Sequence, residues 1–95
     1  MYHLLVLSQA VKDVQTSVDW YNEQLEGLGN RFLFEVSKAM KKAESNPLYY
    51  QERYSKKFRF VIVADFPFVI VFKLKGNLVV INAVFHTRRN PKKFK

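Results

Sequence analysis

The spacing of apolar residues changes at Ser8. Before it, the short apolar segment His3–Leu7 predicts a first β-strand. After it, apolar residues recur at alternating intervals of three and four, as in an amphipathic helix. We interpret Ser8 as the N-cap of this helix and the glycines Gly27 and Gly29 as its end. The predicted apolar stripe comprises Val11, Val14, Val18, Tyr21 and Leu25.

A second amphipathic helix is predicted from about Asn30, as its N-cap, to Glu44. Pro47 ends it, because proline disfavours helical geometry in the preceding residue, Asn46. The short connection between the two helices predicts an antiparallel helix hairpin. The apolar side of the second helix comprises Phe32, Val36, Ala39, Met40 and Ala43.

Three strands joined by short turns are predicted after the helices: Lys57–Val63, Phe68–Leu74 and Leu78–Phe85. Such strands form an antiparallel meander. The fold class is therefore α+β: a strand, an antiparallel helix hairpin and a three-strand antiparallel meander, with the helices packed on one face of the sheet. From the alternation of side chains, we expect the other, more open face to carry Arg59, Asn82 and His86.

The segment Leu48–Lys56 has no clear periodicity and contains three tyrosines, Tyr49, Tyr50 and Tyr54, among charged residues. Tyrosines interleaved with cations can stack on nucleic-acid bases. They can also cover the edge of a core and keep their hydroxyls in water. We favour the second interpretation.

Composition limits the chemistry of the chain. With 95 residues and 48% apolar content, residues 1–95 are expected to form a single globular domain. The absence of cysteine excludes disulfides, thiolate metal sites and cysteine nucleophiles, and two histidines without ligand spacing do not form a zinc site. We therefore expect no metal and no cofactor. No signal peptide or membrane-spanning segment is predicted, so we expect a cytoplasmic protein with no membrane partner.

The positive charge is concentrated in the second half of the chain. Residues 1–46 hold five basic and six acidic residues, whereas residues 47–95 hold eleven basic and two acidic ones. The sequence ends in a basic tail, residues 87–95. This asymmetry favours an anionic partner, either a nucleic acid or an acidic protein. The alternative is a solvated surface that keeps a small domain soluble.

Several segments, in their order and spacing, resemble one known family over nearly the whole chain. It is the RelE/ParE toxin superfamily, and the resemblance is closest to its ParE-like plasmid stabilisation branch. The segments that carry the resemblance are Trp20–Gln24, Gly27–Phe32, Asn46–Tyr49, Phe66–Phe68 and His86–Pro91.

The resemblance implies a growth-arrest toxin of a type II toxin–antitoxin system, held inactive by a cognate antitoxin protein in a toxin–antitoxin hetero-oligomer. The family fold agrees with the one predicted from the pattern. Members of the superfamily differ in their target: ParE-like toxins act on DNA gyrase, whereas RelE-like toxins are metal-independent endoribonucleases that cut mRNA in the ribosome.

If the chain is a ribonuclease, the resemblance implies that Arg59, His86 and Arg88 are its catalytic residues. Cleavage by the ribose 2′-hydroxyl needs a base, an acid and cations on the developing phosphorane charge. Arginines supply permanent cations, and a histidine with a pKa of about 6.5 can transfer protons. The alternative for His86 is a structural histidine at a strand end.

The departures from the family pattern favour gyrase over the ribosome as the target. Phe68 and Phe72 stand where many relatives have tyrosine, and no tyrosine follows Tyr54, so a carboxy-terminal phenolic acid is missing. Gyrase inhibition requires a shaped basic surface and no proton transfer. An inactive remnant that binds only its antitoxin is a third hypothesis. The residues expected to contact the target or a nucleic acid are Lys57, Arg89, Lys92 and Lys93.

Overall fold

The sheet that organises this chain contains five strands, in the order β1-β5-β4-β3-β2. The computed structural model describes residues 1–53 and 57–88, apart from the side chain of Arg53. Strand β1 is parallel to β5, and every other pair of neighbouring strands is antiparallel. In chain order the elements are β1 (His3–Val6), α1 (Ser8–Gln24), α2 (Leu28–Ser45), a 3₁₀ helix (Pro47–Tyr49), β2 (Glu52–Arg53), β3 (Phe58–Ile62), β4 (Phe68–Lys75) and β5 (Leu78–His86).

This architecture confirms the predicted α+β class, with a strand, a helix pair and a three-strand meander. Strand β2 was not predicted; its two residues extend the meander by pairing with Arg59 and Phe58 of β3. The helices contact each other and the sheet. None of the helices within residues 1–53 and 57–88 is long and apolar enough to cross a membrane.

The two predicted N-caps, Ser8 and Asn30, are wrong, whereas α2 ends before Pro47 as predicted. Ser8 is the first residue of α1 and Leu7 precedes it, without a side-chain cap. Helix α1 ends at Gln24, and α2 begins at Leu28, so Asn30 lies within the first turn of α2. The connection is tight because Gly27 adopts a left-handed conformation with φ of 88°, which glycine tolerates without a steric penalty.

The apolar side of α2 is as predicted: Phe32, Val36, Ala39 and Ala43 are buried and Met40 packs against the core. The stripe of α1 is only partly right. Val18 is buried and Tyr21 contacts the core, but Val11 and Leu25 are 54% and 64% exposed. Ala10, which the spacing did not select, is fully buried in place of Val11.

A β-bulge in β5 changes which side chains face the helices. Val71 pairs with Ala83 and the next residue, Phe72, pairs with Ile81, so Asn82 is an extra residue. Beyond the bulge the alternation is reversed, and Val84 joins Ile81 in the core under the helices. His86, two residues after Val84, shares that side. The expectation that Val84 and His86 lie opposite Ile81 is therefore wrong.

Strand β3 is also reversed relative to the prediction. Val61 and Val63 are buried in the core under the helices, and Arg59 shares their side, whereas Ile62 is 75% exposed on the far face. The core under the helices also contains the rings of Phe32, Phe68 and Phe72, so the β3 residues that face it are the smaller valines. The far face therefore does not carry Arg59 and His86. Apart from Lys73, which pairs with Val80, its central residues are apolar and include Phe60, Val71, Val80, Ala83 and Phe85.

Candidate functional site

His86 occupies the last position of β5, opposite Phe68 of β4. Its imidazole packs edge to face on the ring of Phe68, with 5.4 Å between the ring centroids. The backbone N–H of Arg88 donates a hydrogen bond to His86 Nδ1 at 3.1 Å. Because Nδ1 accepts this bond, the neutral ring carries its proton on Nε2, which is then available as a donor.

A pocket of about 140 Å³ lies beside His86. Trp20 lies on its border, 52% exposed, and contacts the ring of Tyr21 edge to face at 5.1 Å. The pocket has roughly the volume of a cavity that holds one benzene ring. Its lining combines aromatic rings, two hydroxyls and an imidazole: Thr16, Ser17, Trp20, Tyr21, Phe68 and His86.

Arg59 is held by its neighbours on the other side of the meander. It pairs with Phe72 of β4, and its guanidinium donates a hydrogen bond to the backbone carbonyl of Tyr50. A second guanidinium nitrogen lies 3.5 Å from a carboxylate oxygen of Glu52, and only 14% of the Arg59 side chain is exposed. Arg59 therefore ties β3 to the segment between the 3₁₀ helix and β2.

The sheet register separates Arg59 from His86. They flank β4 on opposite sides, at Phe72 and Phe68 respectively. Four residues along a strand span about 13 Å, and each of the two lateral steps adds about 5 Å. Moreover, the Arg59 guanidinium is directed to Tyr50 and Glu52 rather than across β4. The two side chains do not converge on one phosphate, whereas Arg88 is adjacent to His86 in the chain.

The remaining predicted residues are not gathered at one site in the described structure. Lys57 is exposed and precedes β3, at the end of the sheet where β4 terminates, opposite the end that carries His86. Arg88 is exposed next to His86. Arg89, Lys92 and Lys93 lie outside the described residues, as does the rest of the predicted tail beyond Arg88. In the part of the chain that is described, no group of three or more acidic or histidine side chains is arranged to hold a metal ion.

Comparison with known proteins decides the family. Residues 4–91 match the model of the ParE toxins of the type II toxin–antitoxin system parDE. This chain belongs to the ParE toxin family. The match extends from β1 past Arg88 and so includes both His86 and Arg59.

A solved structure also shares the fold of this ParE-family chain. It is described as the chromosomal ParDE toxin–antitoxin system from P. aeruginosa, with a TM-score of 0.80 and 18% sequence identity. The similarity covers 90% of this chain and 96% of the other. No curated protein sequence matches the chain. Together these comparisons confirm the predicted family and fold, and identify the chain as a toxin component of a type II toxin–antitoxin system.

Sequence reasoning missed the features that build the His86 end of this ParE-family chain. Asp13 of α1 accepts a hydrogen bond from the backbone N–H of Val84 at 3.1 Å, which fixes α1 over the end of β5. The spacing of apolar residues gives no signal for this contact, because Asp13 lies off the predicted apolar stripe of α1. The bulge at Asn82 leaves no clear signal in a run of apolar residues, so the positions of Val84 and His86 could not be deduced from alternation.

Proposed function

We propose that this member of the ParE toxin family arrests growth by acting on DNA gyrase and not by cutting RNA. The observation that carries the proposal is the separation of Arg59 from His86. A metal-free ribonuclease must place a proton-transferring group and a cation on the same phosphate, within hydrogen-bond reach. Here the cation of Arg59 is engaged with Tyr50 and Glu52, away from the imidazole, and of the two candidate arginines only the exposed Arg88 is next to His86.

Inhibition of gyrase requires binding and no proton transfer, and the chain has exposed basic residues that could bind an anionic partner. Arg88 is exposed beside the His86 pocket, and Lys57 is exposed at the other end of the sheet. Together with the sequence positions Arg89, Lys92 and Lys93, they supply cations for a complex of protein and DNA. In this proposal His86 positions the strand end and the adjacent Arg88, because its Nδ1 accepts the Arg88 backbone hydrogen bond.

The cognate antitoxin, in this proposal, covers an apolar groove between α1 and α2. The groove has a volume of about 240 Å³. Val11 and Leu33 on its borders are 54% and 45% exposed and adjoin the other apolar side chains of the groove, so they form a continuous apolar surface. An amphipathic helix that lays its apolar face into such a groove is a common recognition mode. The apolar lining comprises Val6, Val11, Val14, Val18, Leu33, Val36 and Met40.

The decisive experiment incubates the purified toxin with DNA gyrase, ATP and supercoiled plasmid, then denatures and digests the protein. We expect linear plasmid to accumulate with toxin concentration, and the co-purified antitoxin to suppress it. In parallel, transcripts are mapped in cells that express the toxin; we expect them to remain intact.

Two results would overturn the proposal. Transcripts cut only during translation, with cutting lost in both His86→Ala and Arg59→Ala, would establish a ribonuclease. Normal growth during overexpression, with the toxin present and folded, would establish an inactive antitoxin-binding protein.

A further inference from the structure

A second pocket, distant from the His86 end, is formed where α2 ends and the 3₁₀ helix begins. Its volume is about 390 Å³, within the range of small-molecule sites in proteins. The pocket combines cations, amides, hydroxyls and aromatic rings, and no step of the proposed gyrase inhibition uses it. Its lining comprises Lys41, Lys42, Ser45, Asn46, Tyr49 and Tyr50.

Backbone hydrogen bonds make the walls of this pocket rigid. The Asn46 N–H donates to the Lys42 carbonyl at 3.1 Å, and the Tyr49 N–H donates to the Asn46 carbonyl at 3.2 Å. Pro47 is buried and fixes the first position of the 3₁₀ helix. The carbonyl of Tyr50 accepts the hydrogen bond from Arg59. The backbone that carries the lining side chains is therefore organised before any ligand arrives, which reduces the entropy lost on binding.

The two tyrosines of the pocket have different roles. Tyr50 packs on Phe72 at 5.8 Å and contacts the core, as the covering interpretation predicted. Tyr49 is 77% exposed although its backbone is fixed, and its ring meets Tyr50 edge to face at 5.1 Å. Because most of the Tyr49 side chain is exposed, its ring is accessible to a base that could stack on it. Burial raises the pKa of Tyr50, and the neighbouring Tyr49 adds a smaller effect in the same direction.

The charge on the border of the pocket is positive. Lys41 and Lys42 are exposed, and neither forms an ion pair with another described residue. Of the acidic residues in the neighbouring segments, Glu44 accepts the backbone N–H of Leu4, and Glu52 pairs with Arg59. The two unit charges of the lysines exceed the roughly half negative charge at the carboxyl end of the α2 dipole.

We infer that this pocket binds a nucleotide, with the base stacked on Tyr49 and a phosphate held by Lys41 and Lys42. An exposed aromatic ring beside two cations suits a nucleotide, since the base supplies a π-surface and the phosphate a negative charge. The inference does not depend on gyrase as the target. The nucleotide can come from a single strand of nucleic acid or from the free pool.

The test measures the binding of a short fluorescent oligothymidylate to the purified toxin by anisotropy, without gyrase. Tyr49→Leu removes the aromatic face, and we expect binding at least about fivefold weaker. Tyr49→Phe retains the ring and should bind like the wild type. Because Tyr49 is largely exposed, both variants should keep the wild-type melting temperature, which separates lost binding from lost folding.

The salt dependence separates phosphate contact from stacking. For Lys42→Gln we expect the slope of log affinity against log salt concentration to decrease by about 0.7, the value of one phosphate contact on a single strand. Tyr49→Leu should leave the slope unchanged. Lys12→Gln on α1 is the matched control, since it removes an equally exposed lysine outside the pocket.

Competition with thymidine monophosphate identifies the source of the ligand. If thymidine monophosphate displaces the fluorescent strand at about the same nucleotide concentration as unlabelled oligothymidylate does, the pocket binds free nucleotides. If only the unlabelled oligothymidylate displaces it, the pocket binds a nucleic-acid strand. Either result supports the inference. Unchanged binding by Tyr49→Leu, or an equal slope change in Lys12→Gln and Lys42→Gln, would overturn it, because the basic surface would then bind without the pocket.

Discussion

The carboxylate of Asp13 on α1 accepts a hydrogen bond from the backbone N–H of Val84 on β5, at 3.1 Å. Strand β1 pairs with β5 only as far as Ile81, so the β5 edge beyond it has no neighbouring strand on that side among the described residues. Asp13 takes the place of the missing strand partner for one N–H group. This bond fixes the helix over the strand that ends at His86.

We expect Asp13→Ala to lower the free energy of unfolding by roughly 1–3 kcal/mol, because a partly buried N–H loses a charged acceptor. Urea unfolding followed by circular dichroism measures the change. Asp19→Ala is the matched control: it removes the same charge from α1 but only an exposed bond from Gln15, and should stay within about 0.5 kcal/mol. Equal effects of the two substitutions would show that the Asp13 bond contributes no stability.

Arg59 is expected to contribute more to stability than to the inhibition of gyrase. Arg59→Ala leaves the Tyr50 carbonyl and Glu52 without this partner, so we expect the free energy of unfolding to fall by roughly 1–3 kcal/mol. At a temperature where the variant is folded, we expect wild-type formation of linear plasmid. Arg31→Ala is the control, since its pair with Asp65 is exposed and should contribute at most about 1 kcal/mol. A folded Arg59→Ala variant that fails to act on gyrase would place Arg59 in the target contact.

The two helices approach each other closely at Gly29. A Cβ added there would lie 2.2 Å from the carbonyl oxygen of Val18 and 2.7 Å from Cγ of Asn22. Asn22 also accepts the Gly29 N–H at 2.7 Å, so the helices cannot separate without losing this bond. We therefore expect Gly29→Ala to lower the free energy of unfolding by about 1–3 kcal/mol or more. Thermal or urea unfolding measures the change.

Asn30→Ala, at the next position of α2, is the control for Gly29→Ala. Asn30 is exposed and lies inside the helix, so its replacement should change stability by less than about 0.5 kcal/mol. If Asn30→Ala were the costlier substitution, Asn30 would be acting as a cap after all.

The sequence predicted the elements of this fold better than it predicted the faces of its sheet. Helix α2 and the meander could be placed because Phe32, Val36 and the strand runs follow clear periods. The single extra residue at Asn82 moved His86 to the helix side, and no composition signal marks a bulge within apolar residues. Arg59 was assigned to the open face because phenylalanines were expected inside; the valines of β3 are buried instead.

The same limit applies to the candidate site. The basic residues Arg59, His86 and Arg88 could be selected from the sequence by type and family position. Their grouping could not, because it depends on the strand register, which places Arg59 and His86 on opposite sides of β4. The positions of charged residues in the sequence do not show that Arg59 and His86 are displaced by four residues along β4. That displacement decides whether the two side chains can contact the same phosphate.

The groove between α1 and α2 gives a prediction for antitoxin binding. Leu33 lies on its border and is 45% exposed, so Leu33→Asp should leave the fold intact. A carboxylate in an apolar contact must lose its hydration on binding, so we expect the affinity for the antitoxin to fall at least about tenfold. Isothermal titration calorimetry with the purified antitoxin measures this. Leu48→Asp is the control, since Leu48 is 62% exposed but outside the groove.

If Leu33→Asp binds the antitoxin like the wild type, the antitoxin covers another surface. If the Leu33→Asp toxin has a lower affinity for the antitoxin but still inhibits gyrase, cells that express it together with the antitoxin should stop growing. The antitoxin and the target would then contact different faces of the toxin.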